Sequence, residues 1–153
     1  MSGVTVGEGL RLQLKKTVKT TRQEAYAAWT QPELLRQWFA PGQMTPVEAE
    51  VDLRVRGRLR FVMDGISPRS GQPMRITFAG SFREIVPEKK LSFDWEVAGD
   101  PGEPTLVTVE FFDVEGGTEV MLTHEKVPNE DLLNRNKTGW GSMLERLAGL
   151  FER

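Results

Sequence analysis

From Pro46 to Glu125 apolar residues recur at every second position, in one short run after another. From Leu132 onward they recur three and four apart. The first period belongs to strands with one buried face, the second to a helix with one buried stripe. A sheet that is apolar on one side needs a cover, and only the terminal helix is long enough to be the main one. The expected architecture is therefore α+β: a strand, two short helices, about six antiparallel strands and one long helix. At 153 residues the chain is one domain with room for a sizeable core.

The runs set the details. "LRLQLKKTV" alternates as a half-buried strand does, and Met1 to Gly9 before it is polar, Gly-rich and expected to be disordered, so the domain spans 10–153. "TRQEAYAAWT" opens with Thr21 and places Glu24 three residues later, a capping box in which hydroxyl and carboxylate both satisfy free amides. Pro32 restricts Gln31, ends that helix near Thr30 and suits the first turn of a second one, Pro32 to Trp38. "PVEAEVDL" puts Val47, Ala49, Val51 and Leu53 on one face, and "RLRFVM" puts Leu59, Phe61 and Met63 on one face. For both sets to point inward the connection needs an odd number of residues. The shortest choice is Val55 to Gly57, with Gly57 left-handed and Asp52 opposite Arg60. "DGISPRSGQP" is expected as a long hairpin loop.

Met74, Ile76 and Phe78 continue the inward set, and the alternation slips between Phe82 and Ile85, as at a β-bulge. Leu91, Phe93, Trp95 and Val97 follow, then Val107, Val109 and Phe111, then Val120, Leu122 and His124. Asn129 is a good N-cap for the last helix, where Asn136, Trp140, Met143, Leu144, Leu147 and Leu150 share a stripe. Gly139 and Gly141 flank Trp140 and suggest a close backbone approach or a bend, since each costs about 1 kcal/mol in a helix.

Composition excludes much. The balance of 20 Lys+Arg against 22 Asp+Glu gives a net charge of −2, no footprint for nucleic acid or an anionic membrane. With no Cys and one His there are no disulfides, thiolate nucleophiles or credible metal cluster. No apolar run approaches the roughly 18 residues of a membrane span, and the N-terminus has neither a basic start nor an apolar stretch. The chain reads as soluble and cytoplasmic, with no cofactor. No glycine loop opens a helix after a strand, and no Ser has a nucleophile's setting. The arginines of "RVRGRLR" are expected outward, paired with Glu48, Glu50 and Asp52, with an anion-binding or acidic-partner surface as the weaker alternative. Met121 and Val62 are expected outward too, as a modest apolar patch for a homodimer.

"TRQEAYAAWTQPELLRQWFAPG", "GSFREIVPEKKLSFDWE", "LTHE" and "GWGSMLERLAGLFE" together resemble the family named for the activator of heat-shock protein 90 ATPase, within the START-like, polyketide-cyclase-like superfamily. The resemblance runs from about Leu10 to Glu152. It implies a helix-grip fold, in which a curved antiparallel sheet grips the C-terminal helix around a cavity. It also implies diverse roles: binding of a hydrophobic or amphipathic small molecule, stimulation of a chaperone ATPase, or cyclase and aromatase chemistry. Where relatives often carry a Gly-Gly pair before the third strand, this chain has Arg56-Gly57.

Two expectations about the interior follow. Tyr26 and Trp29 anchor the first helix to the sheet. The bulky inward set, Trp38, Phe39, Phe61, Met63, Met74, Phe78, Phe93, Trp95, Phe111, Trp140, Met143 and Leu144, either fills the core or walls an apolar cavity, because a bent sheet and one helix do not meet flush. On the resemblance, Trp38 and Phe39 form a wall or rim, with the opening between Trp38 and Trp140. His124, Asn136 and the Trp indoles would supply the few polar contacts. His124 is also the one proton shuttle available to an enzyme.

Overall fold

The computed structural model describes residues 4–5, 9–100 and 102–152. Its strands are β1 (Val4–Thr5), β2 (Gly9–Val18), β3 (Thr45–Val51), β4 (Arg58–Ile66), β5 (Pro73–Val86), β6 (Lys90–Val97), β7 (Thr105–Val114) and β8 (Gly117–Val127). Its helices are α1 (Arg22–Thr30), α2 (Pro32–Trp38) and α3 (Glu130–Leu150). All strands lie in one antiparallel sheet in the order β1-β2-β8-β7-β6-β5-β4-β3. This is the expected helix-grip α+β arrangement, with a two-residue strand added at one edge. That strand falls within the segment expected to be disordered; the rest of Met1 to Glu8 lies outside the described residues.

The local chemistry explains the elements. The Thr21 side chain accepts a hydrogen bond from the Glu24 N–H and caps α1. Only half of the expected capping box forms, because the Glu24 carboxylate accepts from the Thr20 hydroxyl. Pro32 begins α2, and Asn129 caps α3 by accepting from the Leu132 N–H at 2.9 Å. The inward residues Val107, Val109, Phe111, Val120 and Leu122 are buried. The bulge expected near Phe82 is present, as a register shift between Phe82 and Glu84.

The β3–β4 hairpin departs from expectation. Val51 lies opposite Leu59 and Glu50 opposite Arg60, so Asp52 is not Arg60's partner. The turn is longer than three residues, and Leu53 leaves the strand and is 43% exposed. Its left-handed residue is Arg56, with φ 71°, not Gly57. Gly57 is required for space instead: a Cβ there would fall 2.1 Å from the Asp52 carbonyl oxygen. The charge pairing survives, because Arg60 reaches Glu48 at 3.0 Å and Glu50 at 3.5 Å, and Arg54 reaches Asp52 at 2.9 Å. The next loop is also shorter than expected, because β4 and β5 pair as far as Ile66 and Pro73.

Two other expectations change. Val62 is 2% exposed, so it cannot form a surface patch with Met121. A Cβ on Gly139 would make only ordinary contact with Pro41, at 3.6 Å, and one on Gly141 would meet nothing. Neither glycine is there for close approach. α3 instead ties down the loop after α2 through Arg146, whose Nη1 donates to the carbonyls of Ala40 at 2.6 Å and Met44 at 2.8 Å. The Ser142 hydroxyl adds a bond from the Gly42 N–H at 2.8 Å.

Candidate functional site

The interior has a closed end and an open end. At the closed end α2 presses two aromatics into the sheet. Phe39 stacks on Phe61 with centroids 4.2 Å apart, and Trp38 meets Trp29 edge-on at 4.8 Å. The Trp38 indole N–H donates to the Ala28 carbonyl at 3.0 Å, which pins α2 under α1. Trp140 lies 5.9 Å from Phe39 and 6.3 Å from Trp29. Aromatic contacts at these spacings fill the gap that was expected to open between Trp38 and Trp140. Trp38 and Phe39 are core residues here, 0% and 2% exposed, and the same cluster holds Phe61, Phe93, Phe111 and Leu144. Tyr26 and Trp29 anchor α1 as expected, Tyr26 edge-on to Phe111 at 5.7 Å.

The open end lies beneath the first half of α3. A cavity of about 260 Å³ is bounded by Phe78, Trp95 and Val97 of the sheet, Thr105 and His124 behind them, Leu132 and Asn136 of α3, and Asp100, Glu103 and Lys126 at its mouth. A smaller crevice of about 130 Å³ adjoins it across Phe78, Trp95 and Asn136 and runs on past Met63, Trp140 and Met143 to Pro41. Of the residues expected at a site, the fold brings Met63, Phe78, Trp95, His124, Asn136, Trp140 and Met143 to this cleft. Met74 stays outside both spaces, half-exposed on β5. Phe78 and Trp95 stack with centroids 4.7 Å apart and form the floor.

The polar groups divide into engaged and free. His124 Nδ1 accepts from the Trp140 indole N–H at 3.0 Å, and its Nε2 lies 2.7 Å from the Thr105 hydroxyl, which donates to the Trp95 carbonyl at 3.0 Å. A neutral imidazole carries one proton, and Nδ1 is already an acceptor, so the proton sits on Nε2 and is donated to Thr105. Burial also disfavours the charged form and pushes the His124 pKa down to about 4. Both ring nitrogens are thus spent on the protein, as are the indoles of Trp38 and Trp140. The Asn136 amide has no hydrogen-bond partner among the described residues and borders both spaces. The backbone at the start of α3 is capped by Asn129 instead, which leaves Asn136 uncommitted.

Several cleft residues were not expected at a site, among them Val97, Leu132 and Thr105, and Thr105 is the one that engages His124. It shares strand parity with Val107 and Val109, so a hydroxyl at an inward position was the available signal. Among the described residues no group of His, Asp and Glu could hold a metal ion, and no helix is long and apolar enough to cross a membrane.

Comparison with known proteins agrees with this geometry. The chain is 27% identical over 131 residues to the "Activator of 90 kDa heat shock protein ATPase homolog 1" of mouse and, at the same identity and length, to that of human. The match takes in 85% of this chain and 33% of either relative, so the chain spans about a third of their length. Among solved structures, protein CV1439 of Chromobacterium violaceum superposes with a TM-score of 0.75 at 23% identity, covering 94% of this chain and 98% of that one. The AHSA1 protein of Silicibacter pomeroyi gives 0.76 at 22% identity, covering 91% and 95%. These likenesses establish the fold. Residues 19–152 match the family described as "Activator of Hsp90 ATPase homolog 1-like protein", and the chain belongs to that family.

Proposed function

We propose that the protein binds a small hydrophobic or amphipathic molecule in the cleft beneath α3. The observation that carries this reading is an apolar floor, Phe78 on Trp95, facing a polar group with no partner, Asn136. Binding sites commonly combine a mainly apolar lining with a few polar groups that orient the ligand. The cleft lies just below the usual range of roughly 300–1,000 Å³, which favours a compact ligand or one that extends into solvent. Native mass spectrometry of the purified protein tests for a bound small molecule directly. With an environment-sensitive apolar dye as probe, Phe78→Ala is expected to weaken binding about tenfold, and Arg69→Ala, on an exposed loop, to leave it unchanged. Equal effects from the two would count against an interior site.

A second reading is stimulation of a chaperone ATPase through the protein surface. The 27% identity to proteins named as such activators favours it. An ATPase assay with an Hsp90-type chaperone distinguishes the two: stimulation that persists when the dye saturates the cleft would place the activity on the surface. The engaged ring of His124 speaks against cyclase-type proton transfer, since neither nitrogen is free to meet a substrate.

A further inference from the structure

The β3–β4 loop, residues 52–57, shares no residue with the cleft. Its backbone is fixed from within and from β5. The Arg54 N–H donates to the Asp52 carbonyl at 2.8 Å and the Gly57 N–H to the Arg54 carbonyl at 2.7 Å. The Arg56 N–H donates to the Phe82 carbonyl at 2.8 Å, and the Phe82 N–H to the Gly57 carbonyl at 2.9 Å. This rigid loop holds two apolar side chains out in water, Leu53 at 43% and Val55 at 56% exposure. Three arginines accompany them. Arg54 is paired with Asp52; among the described residues the Arg58 side chain reaches only the Ser81 hydroxyl, at 3.5 Å, and the Arg56 side chain has no partner.

Arg56 is the informative one. Its φ of 71° lies where an L side chain is strained and where glycine would be at ease. The strain lowers stability, and among the described residues no carboxylate pairs with the guanidinium to offset it. An exposed cation at a strained position, in the same short loop as two exposed apolar side chains, is a combination that suits a contact surface. The neighbouring arginines of β4 and β5 are different. Arg60, Arg75 and Arg83 are each paired with a carboxylate. Arg56 and Arg58 thus put two unpaired positive charges close together on a chain of net charge −2, and the paired arginines beside them leave no long basic stripe along β4 and β5 of the kind nucleic acid or a membrane surface would need. Because the loop is already ordered, binding through it loses little conformational entropy.

We propose that the 52–57 loop, with Arg58 at the start of β4, is a docking surface for an acidic protein segment that also carries apolar side chains, with carboxylates at Arg56 and Arg58 and apolar groups at Leu53 and Val55. The test is fluorescence anisotropy with a labelled synthetic peptide of glutamate and leucine, beside a lysine and leucine peptide of equal length. The acidic peptide is expected to bind and the basic one not, and binding is expected to fade as NaCl rises to about 0.5 M. Arg56→Gly is the decisive variant. It relieves the strain, so the melting temperature should rise by about 3 °C, while peptide affinity falls about tenfold. Arg58→Glu should abolish binding and Leu53→Ser weaken it several-fold, and both positions are exposed enough to leave the fold intact. No binding of the acidic peptide, or an Arg56→Gly variant that binds as well as the parent, overturns the proposal. So does binding to phosphatidylserine vesicles without binding to the peptide, which would assign the loop to a lipid surface.

Discussion

His124 can be neutral in only one tautomer. A second proton would have to sit on Nδ1, where the Trp140 indole N–H already points at 3.0 Å. Two donors cannot share that line, so protonating His124 means breaking its bond to α3. The sign of the pH effect follows. The folded pKa is depressed to about 4 from 6.5, so between those values the unfolded chain holds a proton that the folded chain does not. The contribution to stability is complete above pH 6.5, falls as pH drops toward 4, and levels off below it. Its full extent is about 3 kcal/mol. Urea titrations at several pH values between 4.5 and 7 should show the decline in the parent and a much shallower one in His124→Gln. An identical slope in both would remove His124 as the cause. Sequence parity placed this side chain inward, but nothing in the sequence indicated that both nitrogens would be taken. That outcome depends on Trp140 and Thr105, which are 16 and 19 residues away.

At the scale of elements, parity explains both what was legible and what was not. Alternation identified β3 and β4 and the faces they bury, because a half-buried strand must alternate. It could not choose between a short odd loop and a longer one, since a shift of two residues leaves every side chain on the same face. The register therefore slipped by two, and Leu53 moved from a strand to an exposed loop. The bulge near Phe82 was legible because it shifts the pattern by one. Arg146 was missed for a different reason. It interrupts the apolar stripe three residues after Met143, and a lone charge there reads as a solvated edge. In the structure it is half-buried and joins α3 to the Ala40–Met44 loop by two charge-assisted hydrogen bonds. Arg146→Met keeps the apolar stem but leaves both carbonyls without that donor. The expected cost is about 2 kcal/mol, read from the urea midpoint, with Arg146→Lys losing less. A methionine variant as stable as the parent would show that the bonds contribute nothing net.

Across the whole molecule, the mismatch between a curved sheet and a single helix is resolved differently at the two ends. Near α2 the chain supplies its own filling, since Trp38 and Phe39 insert where a ligand was expected. Near the start of α3 no second helix is available, and the space above Phe78 and Trp95 stays open. The family resemblance implied a cavity and put its opening between Trp38 and Trp140. That end is filled, because the residues after Pro32 turn inward and Trp38's hydrogen bond to Ala28 holds them there. This division separates stability from binding. Phe39 is buried among five other aromatic rings, so Phe39→Ala should cost about 3–5 kcal/mol in chemical denaturation. Phe78 is only half-buried and stacks chiefly on Trp95, so Phe78→Ala should cost well under half as much while losing most of the dye affinity. The pair is informative because the two substitutions are chemically the same and differ only in position. If dye affinity tracked stability across both, the cleft would be no more than loosely packed core, and the interior would have a single role.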